Sequence, residues 1–252
     1  MADEQLNATV LARRDLTERL AVVRVAPRDW ELPDFLPGQC ATLGLPDPDG
    51  PGKFLRRVYS VASAPGAGHL EFYIQLVREG QFTTRLWHQE EGDPIFLSPR
   101  LVGRFTLADV PEDSDLLFLG TGTGLAPFLS MLRAFRGSGR WRRCAVVHGA
   151  RTQAELGYRA ELTHWCAEER ELTYIPTLTR ETPSAWDGAC GRVQQLLLGG
   201  ELERRAGFAL DPARSHVFLC GHPGMIDEME QLLVPRGFRH GPGGNLHFER
   251  YW

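Results

Sequence analysis

Along residues 70–76 the chain alternates, with Leu70, Phe72, Ile74 and Leu76 on one side and Glu71, Tyr73 and Gln75 on the other. A two-residue period predicts a strand with one buried face. Similar segments at 8–14, 20–25, 39–45, 57–62 and 95–97 give six short strands in the first hundred residues. Pro46, Pro48, Gly50, Pro51 and Gly52 punctuate a loop before the fourth of these. Six short antiparallel strands predict a closed barrel.

After about Leu107 the pattern changes to apolar runs alternating with helix-period segments, as in a parallel sheet built from βαβ units. The run at 116–119 is followed by Leu125, Phe128, Leu129 and Leu132 at helical spacing. The run at 217–219 is followed by Met225, Met229, Leu232 and Leu233 in the same scheme, and runs at 144–147 and 172–175 supply strands between. Pro111 and nearby acids mark a linker within 106–113, so the expected domains are a barrel over 1–108 and an α/β domain over 109–252.

Composition adds limits. The chain has 252 residues, 42% hydrophobic and 24% charged, which is ordinary globular usage. Its longest apolar runs fall far short of the roughly 20 residues a membrane helix needs. The opening residues lack the basic-then-apolar order of a secretory signal, so a cytoplasmic protein without membrane association is expected. Cys40, Cys144, Cys166, Cys190 and Cys220 are scattered without metal-ligand or iron–sulfur spacing, so no metal site is expected. A net charge of −4 argues against general nucleic-acid binding. Lys53 is the only lysine, a bias that by itself says nothing of phosphate binding.

Two constellations carry candidate chemistry. On one strand Arg57 and Tyr59 share a face while Val58 and Ser60 take the other. An arginine grips a pyrophosphate by paired hydrogen bonds while a tyrosine packs on a ring system, although a plain strand explains the same residues. Gly80-Gln81-Phe82-Thr83 then opens a helix where backbone N–H groups and the Thr83 hydroxyl meet a phosphate, or where Thr83 simply caps the helix. In the second half, Gly120-Thr121-Gly122-Thr123-Gly124 lies between a strand and a helix, where glycines let a phosphate approach the backbone. The following strand ends His148-Gly149-Ala150-Arg151, a cation where an NAD-specific fold offers a carboxylate. Arg180 and Arg192 add charge suited to a 2′-phosphate, against the plain reading of solvated surface arginines. Cys220 ends an apolar strand and reads by itself as a buried structural thiol.

The order Pro37-Gly38-Gln39, Arg57-Val58-Tyr59-Ser60, Leu70-Glu71-Phe72-Tyr73 and Gly80-Gln81-Phe82-Thr83 resembles the FAD domain of ferredoxin-NADP reductases, especially the bacterial branch that also reduces flavodoxin. Thr121 to Pro127, Arg151, Thr179-Arg180-Glu181, Gly191-Arg192 and Cys220-Gly221-His222-Pro223 are similar to that family's NADP domain. The resemblance implies a six-stranded antiparallel FAD-binding barrel followed by a parallel-sheet, Rossmann-like NADP-binding domain. It implies that Arg57 binds the FAD pyrophosphate, Tyr59 stacks on the flavin, Ser60 faces flavin N5 and Thr83 meets a phosphate. Val58, Tyr73, Gln81 and Phe82 would complete the FAD site. Thr123 would touch both cofactors, and Arg151, Arg180 and Arg192 would recognise the 2′-phosphate. Gly124, Ala150, Thr179, Gly221, His222 and Pro223 would complete the NADP site, with Cys220 near the nicotinamide. The apolar end Phe248-Glu249-Arg250-Tyr251-Trp252 is expected to dock. By resemblance Tyr251 and Trp252 return to cover the FAD site, and Glu249 arranges the nicotinamide or relays protons.

The expected activity is electron transfer between NADPH and an acidic partner, ferredoxin or flavodoxin, through FAD, by a monomer. Hydride would pass from nicotinamide C4 to flavin N5, followed by single-electron steps. One alternative is an NADH-dependent reductase component of an oxygenase, or a free-flavin reductase. Another, of a different class, is a non-redox nucleotide-binding module, against which the acidic charge and the lack of aromatics interleaved with basic residues both weigh.

Overall fold

The structure, a computed structural model, describes residues 6–50, 52–181 and 186–251. It divides into two compact units, Met1–Leu107 with Ala126–Ala134, and Ala108–Leu125 with Phe135–Trp252. Among the described residues no helix is long and apolar enough to cross a membrane. No group of three or more His, Cys, Asp or Glu among them is placed to hold a metal ion.

The first unit is built on β1 (Ala8–Thr17), β2 (Leu20–Pro27), β3 (Cys40–Pro46), β4 (Phe54–Ser60), β5 (Leu70–Gln75) and β6 (Pro94–Leu97). They run antiparallel in the order β4-β3-β6-β1-β2-β5. The edges of that order meet at a bridge between Val61 and Phe72, where Ala62 N–H donates to the Glu71 carbonyl at 2.8 Å. Closure removes exposed edges and packs Val10, Val23, Leu43, Phe72, Ile74 and Leu97 into one interior. The short helix α1 (Gln81–Leu86) drives Phe82 and Leu86 into that core.

One strand departs from the alternation read in the sequence. All of Leu70 to Ile74 is buried, including Glu71 and Tyr73, so β5 has two covered faces rather than one. The cause is a helix far along the chain, α2 (Ala126–Phe135), most of which packs as part of this unit. Its Arg133 reaches the 2%-exposed Glu71 carboxylate at 2.7 Å and the Ala62 carbonyl at 2.9 Å, while Arg24 from β2 holds the other carboxylate oxygen at 2.8 Å. Ser130 donates to the Ser63 carbonyl at 2.7 Å, and the Ser63 hydroxyl accepts from Glu71 N–H. A polar strand face is thus buried because every charge on it finds a partner.

The second unit carries β7 (Asp115–Thr121), β8 (Arg143–Ala150), β9 (Leu172–Leu178), β10 (Ala189–Cys190), β11 (Ser215–Gly221) and β12 (Leu246–Arg250). All are parallel, in the order β10-β9-β8-β7-β11-β12. Helices α3 (Arg159–Glu168), α4 (Val193–Leu198), α5 (Glu201–Ala206) and α6 (Pro223–Leu233) connect them. Leu117, Leu119, Val147, Ile175, Leu219 and Met229 belong to the core. The sequence reading found the four long strands and the α6 pattern but not β10, β12 or α3 to α5. β10 has only two residues, and β12 buries only Leu246 fully, so neither shows a period. The barrel and parallel sheet match the expected fold class.

Breaking a buried ion pair from one side leaves an uncompensated charge. Glu71→Ala should therefore lower the unfolding free energy by roughly 3 kcal/mol in denaturant titrations, with Glu71→Gln intermediate.

Candidate functional site

Within the barrel unit, Tyr59 lies half-buried on β4, tilted against Phe82 at 5.9 Å between centroids and edge-on to Phe72 at 6.3 Å. Burial pushes its phenol well above the usual range, against the pull of the Arg57 charge. Arg57 is exposed and donates to the Arg56 carbonyl at 2.8 Å. A cation and a ring thus occur together on one strand, a donor set that fits a flavin and its pyrophosphate. Val58 is 58% exposed and Ser60 is buried, with its Oγ 3.6 Å from Cys40 Sγ on the paired strand.

Three residues expected beside them stand differently. Phe82 is a core side chain under Tyr59, so only its backbone is on offer. Tyr73 is buried on the strand face that also carries Glu71. Thr83 does not cap α1, whose N-cap is Gly80. Its hydroxyl accepts from Val77 N–H and donates to the Val77 carbonyl, both at 3.0 Å, so its O–H is committed to the preceding loop rather than aimed at a phosphate. Gln81, at the start of α1, is exposed.

In the parallel sheet, β7 is followed by β8 on one side and bordered by β11 on the other, so the strand order reverses beside β7. Ligands of open α/β sheets bind outside the carboxyl ends of strands at such a switch point. The ends of β7 and β11 are drawn together there. Gly124, in the 3₁₀ turn Gly122–Leu125, packs so closely that a Cβ would run into the Cys220 carbonyl. Gly221, with φ +125°, leaves room for the Thr121 hydroxyl, which accepts from His222 N–H at 3.0 Å. His222 in turn N-caps α6 by accepting from Gly224 N–H, with Pro223 in the first turn. Gly124 of the loop and Gly221 of β11 thus serve the packing of the two strand ends, in addition to the phosphate approach read for the loop in the sequence. Tyr251 ties to the same place, donating N–H to the Gly221 carbonyl at 3.1 Å and O–H to the Thr123 carbonyl at 3.2 Å. Cys220 is fully buried and is the register partner of Glu249 on β12. Trp252 lies outside the described residues.

The arginines end neighbouring strands. Ala150 closes β8, and its carbonyl accepts from Thr179 N–H at 3.1 Å while the Arg151 carbonyl accepts from Arg180 N–H at 2.9 Å. Arg180 and Arg192 are exposed, and Arg192 N-caps α4 with its N–H donating to the Gln195 side chain at 2.9 Å. Arg151 is ion-paired to Glu155 at 2.6 Å. Guanidinium groups on adjoining strand ends, with a glycine loop at the switch point, fit a phosphorylated dinucleotide.

Comparison with known proteins agrees with this geometry. The oxidoreductase NAD-binding domain family matches residues 118–231. A flavodoxin/ferredoxin–NADP reductase of Escherichia coli is 33% identical over 86% of this chain and 88% of its own length. One of Rhodobacter capsulatus is 33% identical over 92% and 87%. The chain belongs to the ferredoxin/flavodoxin–NADP reductase family. A crystal structure of a ferredoxin NADP+ reductase from Neisseria gonorrhoeae with bound FAD and NADP has a TM-score of 0.87 and 26% identity, covering 96% of this chain and 97% of that one.

Against this family background, the sequence reading missed residues that support the site from beneath. His148 is wholly buried at the end of β8, between Gly122 and Tyr174. A carbonyl only accepts, so Nε2 donates to Gly122 at 3.0 Å and Nδ1 accepts the Tyr174 hydroxyl at 3.3 Å. Burial lowers its pKa to about 4, with the Gly122 carbonyl and Glu155 charge pulling the other way. Cys40 and Glu155 were likewise passed over, since neither has a sequence signal apart from its partner.

Because His148 is held neutral, the unfolded chain binds a proton below pH 6.5 that the folded chain refuses until about pH 4. Stability should be unaffected by this group above that window and fall within it, by up to about 3 kcal/mol. His247, lowered to about 4 by burial and by His216, adds in the same direction. Denaturant unfolding near neutrality and near the lower limit should show the loss, and His148→Gln should remove part of the slope.

Proposed function

We propose that the chain is an FAD-dependent reductase carrying electrons between NADPH and ferredoxin or flavodoxin, with an FAD domain over 1–108 and an NADP domain over 109–252. The observation that carries this reading is Arg151 just past the end of β8, where an NAD-specific sheet would offer an acid, with exposed Arg180 and Arg192 following the neighbouring strands β9 and β10. FAD held by the barrel residues would supply two-electron hydride chemistry on one side and single-electron transfer on the other, which would let a nicotinamide serve a one-electron partner.

The chain's own residues supply binding and orientation. Arg57 holds the flavin nucleotide's pyrophosphate by charge, while Tyr59, stiffened by Phe72 and Phe82 behind it, packs against the ring. Val58, Tyr73 and Gln81 border that site, and Phe82 and Thr83 contribute main chain only. Ser60, Cys220 and Glu249 serve the hydride step, with Tyr251 beside the flavin. Thr123 and Gly124 offer loop amides to the nicotinamide nucleotide, Arg151, Arg180 and Arg192 take its 2′-phosphate, and Ala150, Thr179, Gly221, His222 and Pro223 shape its bed. The protein acts as a cytoplasmic monomer, and exposed Arg56 beside the site helps steer an acidic partner to the barrel.

Arg180→Ala and Arg192→Ala should each weaken NADPH binding by roughly 1.5 to 3 kcal/mol while leaving NADH unchanged. A wild-type protein that turns over NADH as well as NADPH would instead support the oxygenase-component reading. Ser60→Ala should retain FAD, seen in the visible spectrum, yet slow flavin reduction in single-turnover mixing. An unchanged rate would remove Ser60 from the hydride step.

A further inference from the structure

The nucleotide end of the parallel sheet contains an acid that the arginine pattern does not require. Glu155 ends the 3₁₀ turn Gln153–Glu155, four residues after Arg151. Its Oε2 accepts from Arg151 Nε at 3.1 Å and from the Arg151 main-chain N–H at 2.9 Å, while Oε1 meets NH2 at 2.6 Å. The carboxylate therefore takes the Nε/NH2 edge of the guanidinium and the amide beneath it, a three-point grip. The turn is itself pinned from the β9 side, since Gln153 N–H donates to Glu181 at 3.3 Å.

We propose that Glu155 is a positioning residue for 2′-phosphate recognition, holding one edge of Arg151 so that its NH1/NH2 edge is presented to the phosphate. This rests on the NADPH reading above. An unrestrained arginine surrenders much rotamer freedom on binding, whereas this one is ordered beforehand. The carboxylate also reduces the mutual repulsion of the cations. Burial alone would raise the Glu155 carboxyl, but hydrogen bonds from Arg151 and the charges of Arg151 and Arg180 outweigh it and keep the group ionised.

Calorimetric titration of the full-length holoprotein with 2′,5′-ADP and with 5′-AMP tests this. The wild type should bind 2′,5′-ADP more tightly, and Glu155→Ala should weaken that ligand by at least about fivefold, leaving 5′-AMP within about twofold. Glu155→Gln, which keeps an oxygen acceptor for Arg151, should recover most of the loss. Unchanged or tighter 2′,5′-ADP binding in Glu155→Ala, or equal loss for both ligands, would overturn the role of Glu155 while the wild-type preference kept the NADPH reading intact. No wild-type preference would overturn both.

Discussion

The nucleotide end of the parallel sheet depends on one close approach, that of Gly124 to the Cys220 carbonyl. Any side chain at 124 would push the β7 turn off the end of β11 and open the switch point. With the approach made, Thr121 accepts from His222, Gly221 takes the positive φ that the Thr121 hydroxyl demands, and Tyr251 closes over Thr123. Each of these bonds joins residues roughly a hundred positions apart, so they form only after the sheet has brought its strands side by side.

Around that point the charges are sorted by solvent. The interior support is neutral, with His148 deprotonated by burial and locked between a carbonyl and a phenol. The cations are kept at the rim, where Arg180 and Arg192 retain water and Arg151 is balanced by Glu155. A buried cation would cost several kcal/mol without a partner, whereas a rim cation waits for an anion at little cost. Polar support below and charge above is a division that a dinucleotide site needs if its loop is to stay rigid while its ligand exchanges.

The barrel unit solves a related problem with an ion pair. Glu71 is placed by strand alternation on the face away from the apolar interior, yet it is buried because α2 covers that face and brings Arg133. The helix thereby acts as an outer wall of the barrel although its sequence lies beyond residue 108. Domain boundaries drawn along the chain and boundaries drawn by contact differ here for that reason.

The amino-acid order by itself determined the six barrel strands, the change to a parallel sheet, and the arginine and glycine clusters at strand ends. Local periods and turn residues carry that information, since each is set by neighbours a few positions away. It did not reveal that β5 is covered on both faces, that Thr83 spends its hydroxyl on Val77, or that residues 246–250 form an edge strand beside β11. Nor did it single out His148, Cys40 or Glu155, whose meaning lies in partners reached across strands or around a turn. Those features belong to the tertiary structure alone, because burial and the geometry of a hydrogen bond are properties of two segments brought together and not of either one.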